Sequence, residues 1–195
     1  MNVEPVTLEG RFVRLEPLSL DHLPGLIEVG LDPELWRVTT TQIQSPDDLR
    51  RYIASALEER DQGTALPFAT VWLSDRRPVG STRFAAFDPV HRRVEIGWTW
   101  LGRAWQRTAA NTEAKYLMLR HAFEVWGCVR VEFKTDSLNE KSRQALERIG
   151  AKEECIFRNH MILPSGRLRH SVYFSILAEE WPGVRADLER KLARG

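Results

Sequence analysis

Residues 94–126 join a strand, a loop and a helix into one unit, and the rest of the chain has to be arranged around it. Val94 to Leu101 reads as a strand: Val94 and Ile96 alternate with Glu95 and Gly97, and Trp98 and Trp100 then share a face. Residues 102–110 make a short connection. A helix follows to Trp126, with Ala114, Leu117, Met118, His121, Ala122 and Val125 recurring along one face of a 3.6-residue period. Gly127 stands where a left-handed C-cap ends such a helix. The intervening stretch, Gln106-Arg107-Thr108-Ala109-Ala110-Asn111-Thr112, is small and polar. A loop of that kind feeding a helix N-terminus leaves backbone N–H groups unpaired at the positive end of the helix dipole. That suits a phosphate.

The chain around this unit reads as one domain over residues 1–195, long enough for a sizeable core, with a charged helical tail on the surface from about Glu179. A net charge of +1 leaves no basic footprint for nucleic acid or for a membrane surface. No apolar run approaches the roughly 20 residues of a membrane helix, and the N-terminus lacks the apolar core of a signal peptide. Cys128 and Cys155 form no C-x-x-C pair and read as reduced, buried thiols of a cytoplasmic protein. His22, His91, His121 and His170 show no metal-ligand spacing, and no metal is expected.

Taken in order, residues 11–17 alternate as an opening strand, and Ser19 caps a helix that carries Leu23, Leu26 and Ile27 and ends at Gly30. Ser45-Pro46-Asp47-Asp48 is a second helix start, with a capping Ser, Pro in the first turn and acids behind it. Residues 67–73 and 78–87 read as strands of a hairpin. After the central helix come a strand at 128–135, a helix capped by Asn139 and closed by Gly150, and a last hairpin at 156–163 and 168–177. Antiparallel strands followed by strand–helix alternation predict a mixed α/β (α+β) fold: one mostly antiparallel sheet of about seven strands with helices on both faces.

Gln106-x-x-Ala109-x-Asn111-Thr112-Glu113-Ala114 resembles the pyrophosphate loop of the GNAT N-acetyltransferase superfamily, written Q/R-x-x-G-x-G/A and often followed by T-E-A. The Thr-Glu-Ala match fixes the register. It also shows two departures: Ala109 stands where the family has Gly, and Asn111 where it has Gly or Ala. With Glu95-Ile96-Gly97 before the loop and Asn139-x-x-Ser142 after it, the chain looks most like the RimJ/RimL-like (ribosomal-protein-alanine N-acetyltransferase) branch, over residues 8–181.

The resemblance implies two parallel neighbouring strands, 94–101 and 128–135, splayed to admit acyl-CoA, most often acetyl-CoA. It implies cofactor contacts from Thr99, Trp100 and Leu101, from Gln106, Arg107, Thr108, Ala109, Ala110, Asn111 and Thr112, and from Asn139 and Ser142. By the same resemblance Ser142 is the acid that protonates the departing thiolate, although an N-cap at Asn139 with a nearby Ser also serves helix capping alone. Glu95 and His160 are the two candidate bases for the amine acceptor. The implied reaction is direct attack in a ternary complex, and a homodimer is among the expected assemblies. Two other readings stand beside it. One is transfer from succinyl-CoA, if Arg37, Arg83 or Arg158 faces the cleft. The other is a non-catalytic acyl-CoA-binding domain. The chain carries no phosphate-binding G-x-x-x-x-G-K-[ST], no strand-borne G-x-G-x-x-G and no G-x-S-x-G elbow.

Overall fold

The computed structural model describes every residue except 2 and 195. Eight strands form one sheet: β1 (Leu8–Glu9), β2 (Val13–Pro17), β3 (Ala65–Trp72), β4 (Arg77–Asp88), β5 (Arg93–Leu101), β6 (Arg130–Asp136), β7 (Lys152–Ile162) and β8 (Leu168–Leu177). Their order across the sheet is β1-β2-β3-β4-β5-β6-β8-β7. Only β5 and β6 run parallel; every other neighbour is antiparallel. The strand beyond the expected seven is the two-residue β1, too short to show an alternation in the sequence.

Helices cover both faces. On one side α1 (Leu23–Gly30) and α2 (Pro46–Asp61) bury Leu26, Leu49 and Ile53 with Trp36 and Trp100. On the other, α3 (Ala109–Arg120), α4 (Glu140–Arg148) and α5 (Trp181–Ala193) enclose the larger core, which includes Phe68, Phe84, Phe133 and Phe174. Caps set the boundaries as read from the sequence. Ser45 accepts from the Asp48 N–H, and Asn139 Oδ1 accepts from the Ser142 N–H at 3.1 Å.

Several expectations are corrected. The α3 helix begins at Ala109, capped by Thr108, so Ala109–Thr112 are its first turn and not loop. After Arg120 the backbone widens into a π-helical turn, His121–Val125, closed by the Trp126 N–H donating to His121 O. The extra residue in that turn rotates the apolar face. Val125, expected inside, is therefore exposed, while Phe123 and Trp126 are buried. Gly127 has φ +64 and ends the helix as expected.

Cys155 lies exposed on edge strand β7; only Cys128 is buried, and burial pushes its thiol up to about 11. The tail is not a free surface helix. Trp181 and Leu188 are buried, Trp181 stacks on Phe123 at 5.4 Å, and its indole N–H donates to Glu124.

Candidate active site

The parallel pairing of β5 and β6 covers only Arg93↔Arg130, Val94↔Val131 and Glu95↔Glu132. Beyond Glu95 the two strands separate, and the β5 edge that faced β6 no longer meets a partner strand there. A bulge lies in the freed part of β5. Ser81 pairs with Trp100 but Arg83 pairs with Gly97, so β5 carries one residue more than β4 across that step. Trp98 absorbs it with φ +49, a left-handed conformation costly for a bulky side chain. Bulges bend a strand and sharpen its twist, which turns β5 away from β6. Trp100 is buried against Trp36, whereas Trp98 is 39% exposed over the buried guanidinium of Arg83, 5.0 Å from its ring centroid.

The α3 N-terminus lies at the end of β5. Gln106 Nε2 donates to Leu101 O at 3.0 Å and holds the connection against the strand. Thr108 Oγ1 accepts from the Ala110 N–H at 3.2 Å. The N–H groups of Thr108, Ala109 and Asn111 stay without helical partners, beside the exposed side chain of Arg107. The positive φ of this turn belongs to Arg107 (φ +62) and not to Ala109 or Asn111. Non-glycine residues fit at 109 and 111 because they already have helical φ. The turn therefore presents unpaired amides and a cation of the kind a diphosphate takes, and the two departures from glycine cost it no backbone strain. Thr112 is committed elsewhere: its hydroxyl accepts from Arg148 at 3.1 Å, tying α3 to α4.

Glu95 sits at the point of separation, 6% exposed, with Lys134 Nζ 3.3 Å from its Oε2. Burial raises its pKa above the ordinary carboxylate value, and Glu132 adds to this; Lys134 and Arg169 pull the other way. An acid of this kind can take a proton from an ammonium at a pH where an exposed Glu would be too weak a base. His160 lies on exposed β7, with β8 and β6 between it and β5. Three strand spacings, about 14 Å across the sheet, separate its strand from β5, and His160 also lies further along, beside Ser171, which pairs with Asp136 and not with Glu132. Its Nδ1 is 3.0 Å from Ser171 Oγ, and it lines an open depression with Phe157, Asn159 and His170. The structure does not bring the two candidate bases together. Ser142 is half-buried in the first turn of α4, and among the described residues its hydroxyl takes no partner.

Three residues near the cleft were missed. Lys134 stands on the polar face of β6, opposite Val131 and Phe133, and that alternation is visible in the sequence. Arg83 on β4 and Lys115 on α3 gave no such signal, because charged residues are assigned to the surface by default. Arg83 is buried between the rings of Tyr52 and Trp98 and pairs with Glu59 at 2.7 Å, while Arg37 is exposed and pairs with Glu34. Lys115 is buried among hydroxyls, and burial lowers its ammonium to about 7.

A splayed parallel pair, an anion-binding helix start beside it and a buried carboxylate at the fork define an acyl-CoA-type group-transfer fold. The family profile described as Acetyltransferase (GNAT) domain matches residues 13–152, and the chain belongs to the GNAT acetyltransferase family. A Bacillus subtilis (strain 168) protein named as a ribosomal N-acetyltransferase, YdaF, is 35% identical over 98 residues. That match covers 50% of this chain, and the chain spans about half the length of this curated relative (52%). A solved structure from T. thermophilus, described as an acetyltransferase, is 40% identical with TM-score 0.89, over 98% of this chain and 100% of that one. Mycobacterium smegmatis RimJ, solved in complex with CoA-disulfide, shares the fold at TM-score 0.80 and 21% identity, over 96% and 95% of the two chains. At 21% identity the likeness to RimJ is one of fold.

Proposed function

We propose that the protein transfers an acetyl group from acetyl-CoA to a primary amine by direct attack within a ternary complex. The observation that carries this reading is the fork at Glu95, where the β5 edge becomes free beside a buried, Lys134-paired carboxylate. The N–H groups of Thr108, Ala109 and Asn111, with Arg107, hold the diphosphate; backbone groups of Thr99, Trp100 and Leu101 hold the pantetheine amides and the thioester carbonyl. Asn139 and Ser142 border the thiol. Glu95 accepts the proton of the ammonium, directly or through water, so that the nitrogen lone pair can attack. Donors aimed at the carbonyl oxygen stabilise the charge that develops there. Ser142 returns a proton to the departing thiolate.

Glu95 is the better-placed of the two bases, since His160 lies three strands away. The ribosomal naming of YdaF supports a protein N-terminus as acceptor, with a small-molecule amine as the other class. The exposed apolar side chains Ile156, Phe157, Met161 and Ile162 on β7 support a homodimer. No described helix is long and apolar enough to cross a membrane, and two unpaired cysteines suit the reducing cytoplasm.

A thiol-release screen tests the reading, with acetyl-CoA and succinyl-CoA each offered against a panel of amines and N-terminal peptides. Turnover with acetyl-CoA that Glu95→Gln lowers about a hundredfold or more supports it. CoA binding with no thiol release from any amine would leave a binding domain instead, and preference for succinyl-CoA would replace the donor.

A further inference from the structure

Lys115 is 4% exposed, lies in the second turn of α3 and has no carboxylate paired with it among the described residues. Burial alone perturbs it. A Leu or Met there would avoid the cost of burying an amine, so what the amine touches is informative. Its Nζ donates to Thr99 Oγ1 at 2.5 Å and to Thr82 Oγ1 at 3.3 Å. The two hydroxyls are 2.7 Å apart, and each reaches Gly97 O, at 3.3 Å from Thr99 and 3.4 Å from Thr82. Thr82 stands on β4 where the register slips, opposite the extra residue of β5.

The next carbonyl is held from the opposite face of the sheet. Tyr52 on α2 donates its hydroxyl to Trp98 O at 3.4 Å. Two successive carbonyls of the bulge are thus anchored from two sides. In a planar trans peptide, fixing a carbonyl also fixes the N–H that follows it, here those of Trp98 and Thr99. The anchored stretch lies on the part of β5 released from β6, and it contains the strained Trp98.

We propose that Lys115 is a positioning residue for acyl transfer, holding the Trp98–Thr99 bulge through Thr99 and Thr82 so that its N–H groups meet the acyl carbonyl of the thioester. The proposal rests on the acyl-CoA reading of the cleft. A neutral amine still donates two hydrogen bonds, so the positioning does not require the ammonium form.

Calorimetry with CoA and with acetyl-CoA tests the proposal without an acceptor, because the two ligands differ only in the acyl group. Wild type should bind acetyl-CoA several-fold more tightly. Lys115→Met and Thr82→Val should lose that preference with CoA affinity held within about twofold, and Thr82→Ser, which returns the hydroxyl, should regain it. With an amine identified by the screen, Lys115→Met and Thr82→Val should lower kcat about tenfold or more at an unchanged amine KM. Wild-type affinities that are equal for the two ligands would overturn the proposal. So would variants that keep preference and kcat, or that lose CoA and acetyl-CoA alike. If Lys115→Met does not fold, the Thr82→Val and Thr82→Ser pair decides. An acetyl-CoA preference that the variants lose, without turnover on any amine, would fail the function above and leave Lys115 as the residue that positions the bulge against the acyl group.

Discussion

Glu95 is the last residue of β5 paired to β6, and its carboxylate meets the Lys134 ammonium of β6 at 3.3 Å. The contact spans the two strands at the point where they part. Lys134 also lies 5.7 Å from the ring centroid of Tyr173 on β8. One cation is therefore shared between the candidate base and the aromatic wall beyond it.

Burial raises the Glu95 pKa and Lys134 restrains the rise. Removing the restraint should raise it further. For Lys134→Met the rising limb of kcat/KM should move to higher pH than in wild type, with the plateau still reached. An unmoved limb would mean that Glu95 does not govern it.

The same shift links Glu95 to stability. Below the unfolded carboxylate pKa, about 4, both states hold the proton and Glu95 is neutral for stability. As pH rises, the unfolded chain ionises first, so the folded state loses stability until the pH passes the raised folded value. The loss is then complete. Glu95→Gln removes it, and the stability of the variant relative to wild type should grow as the pH is raised from about 4 in urea titrations. A difference that stays constant as the pH rises would contradict the shift. Lys134 is partly exposed and can be solvated when its partner goes.

Glu113 makes a contrast. Its carboxylate accepts the backbone N–H groups of Arg11, Phe12 and Val13 at 2.8, 2.7 and 2.7 Å, about 100 residues away in sequence. Glu113→Ala leaves three donors to find new partners and should cost about 3 kcal/mol or more in urea denaturation. A loss under about 1 kcal/mol would show that water replaces the carboxylate readily.

Glu113 and Lys115 also mark where the sequence stops being readable. The strand, the capped helix start, the Ser45 and Asn139 caps and the order of elements all follow from local periodicity and local hydrogen bonding, so they can be read from neighbouring residues. Partners a hundred positions apart leave no local trace, and two charged residues so close together on a helix look like a solvated face. The bulge was hidden for a different reason. Apolar residues at Val94, Ile96, Trp98 and Trp100 continue an unbroken alternation, yet Ile96 packs with α3 while Trp100 packs with α1 and α2. The π-turn after Arg120 hid in the same way, inside an apparently continuous helical period. At the candidate site the sequence singled out Glu95 and the start of α3, and the structure places Glu95 at the fork and α3 at the end of β5. It could not show that three strand spacings separate His160 from Glu95, because β8, the last strand in the chain, lies between β6 and β7.

Ser142 has two roles to tell apart. Its N–H completes the Asn139 cap, which any residue other than proline can do, while its hydroxyl takes no part in that bond. Ser142→Ala keeps the capping bond, so stability should change by less than about 0.5 kcal/mol. If the hydroxyl protonates the thiolate, kcat should fall with little change in the acetyl-CoA KM. Intact turnover would return Ser142 to a structural role.

Ala109→Asp separates helix stability from cofactor binding at the α3 N-terminus. Ala109 is the first residue of the helix, where an acidic side chain interacts favourably with the dipole, typically by about 0.3–1 kcal/mol. The variant should therefore unfold no more easily than wild type. The same carboxylate lies among the free N–H groups of Thr108, Ala109 and Asn111 and beside Arg107, where the diphosphate is proposed to bind. It would occupy those donors and repel the phosphates at a distance where like charges are poorly screened. CoA affinity measured by calorimetry should fall about tenfold or more, and more steeply at low salt than at high salt. The two measurements move in opposite directions only if this helix start is the anion site. Equal CoA affinity in a fully folded variant would move the diphosphate elsewhere.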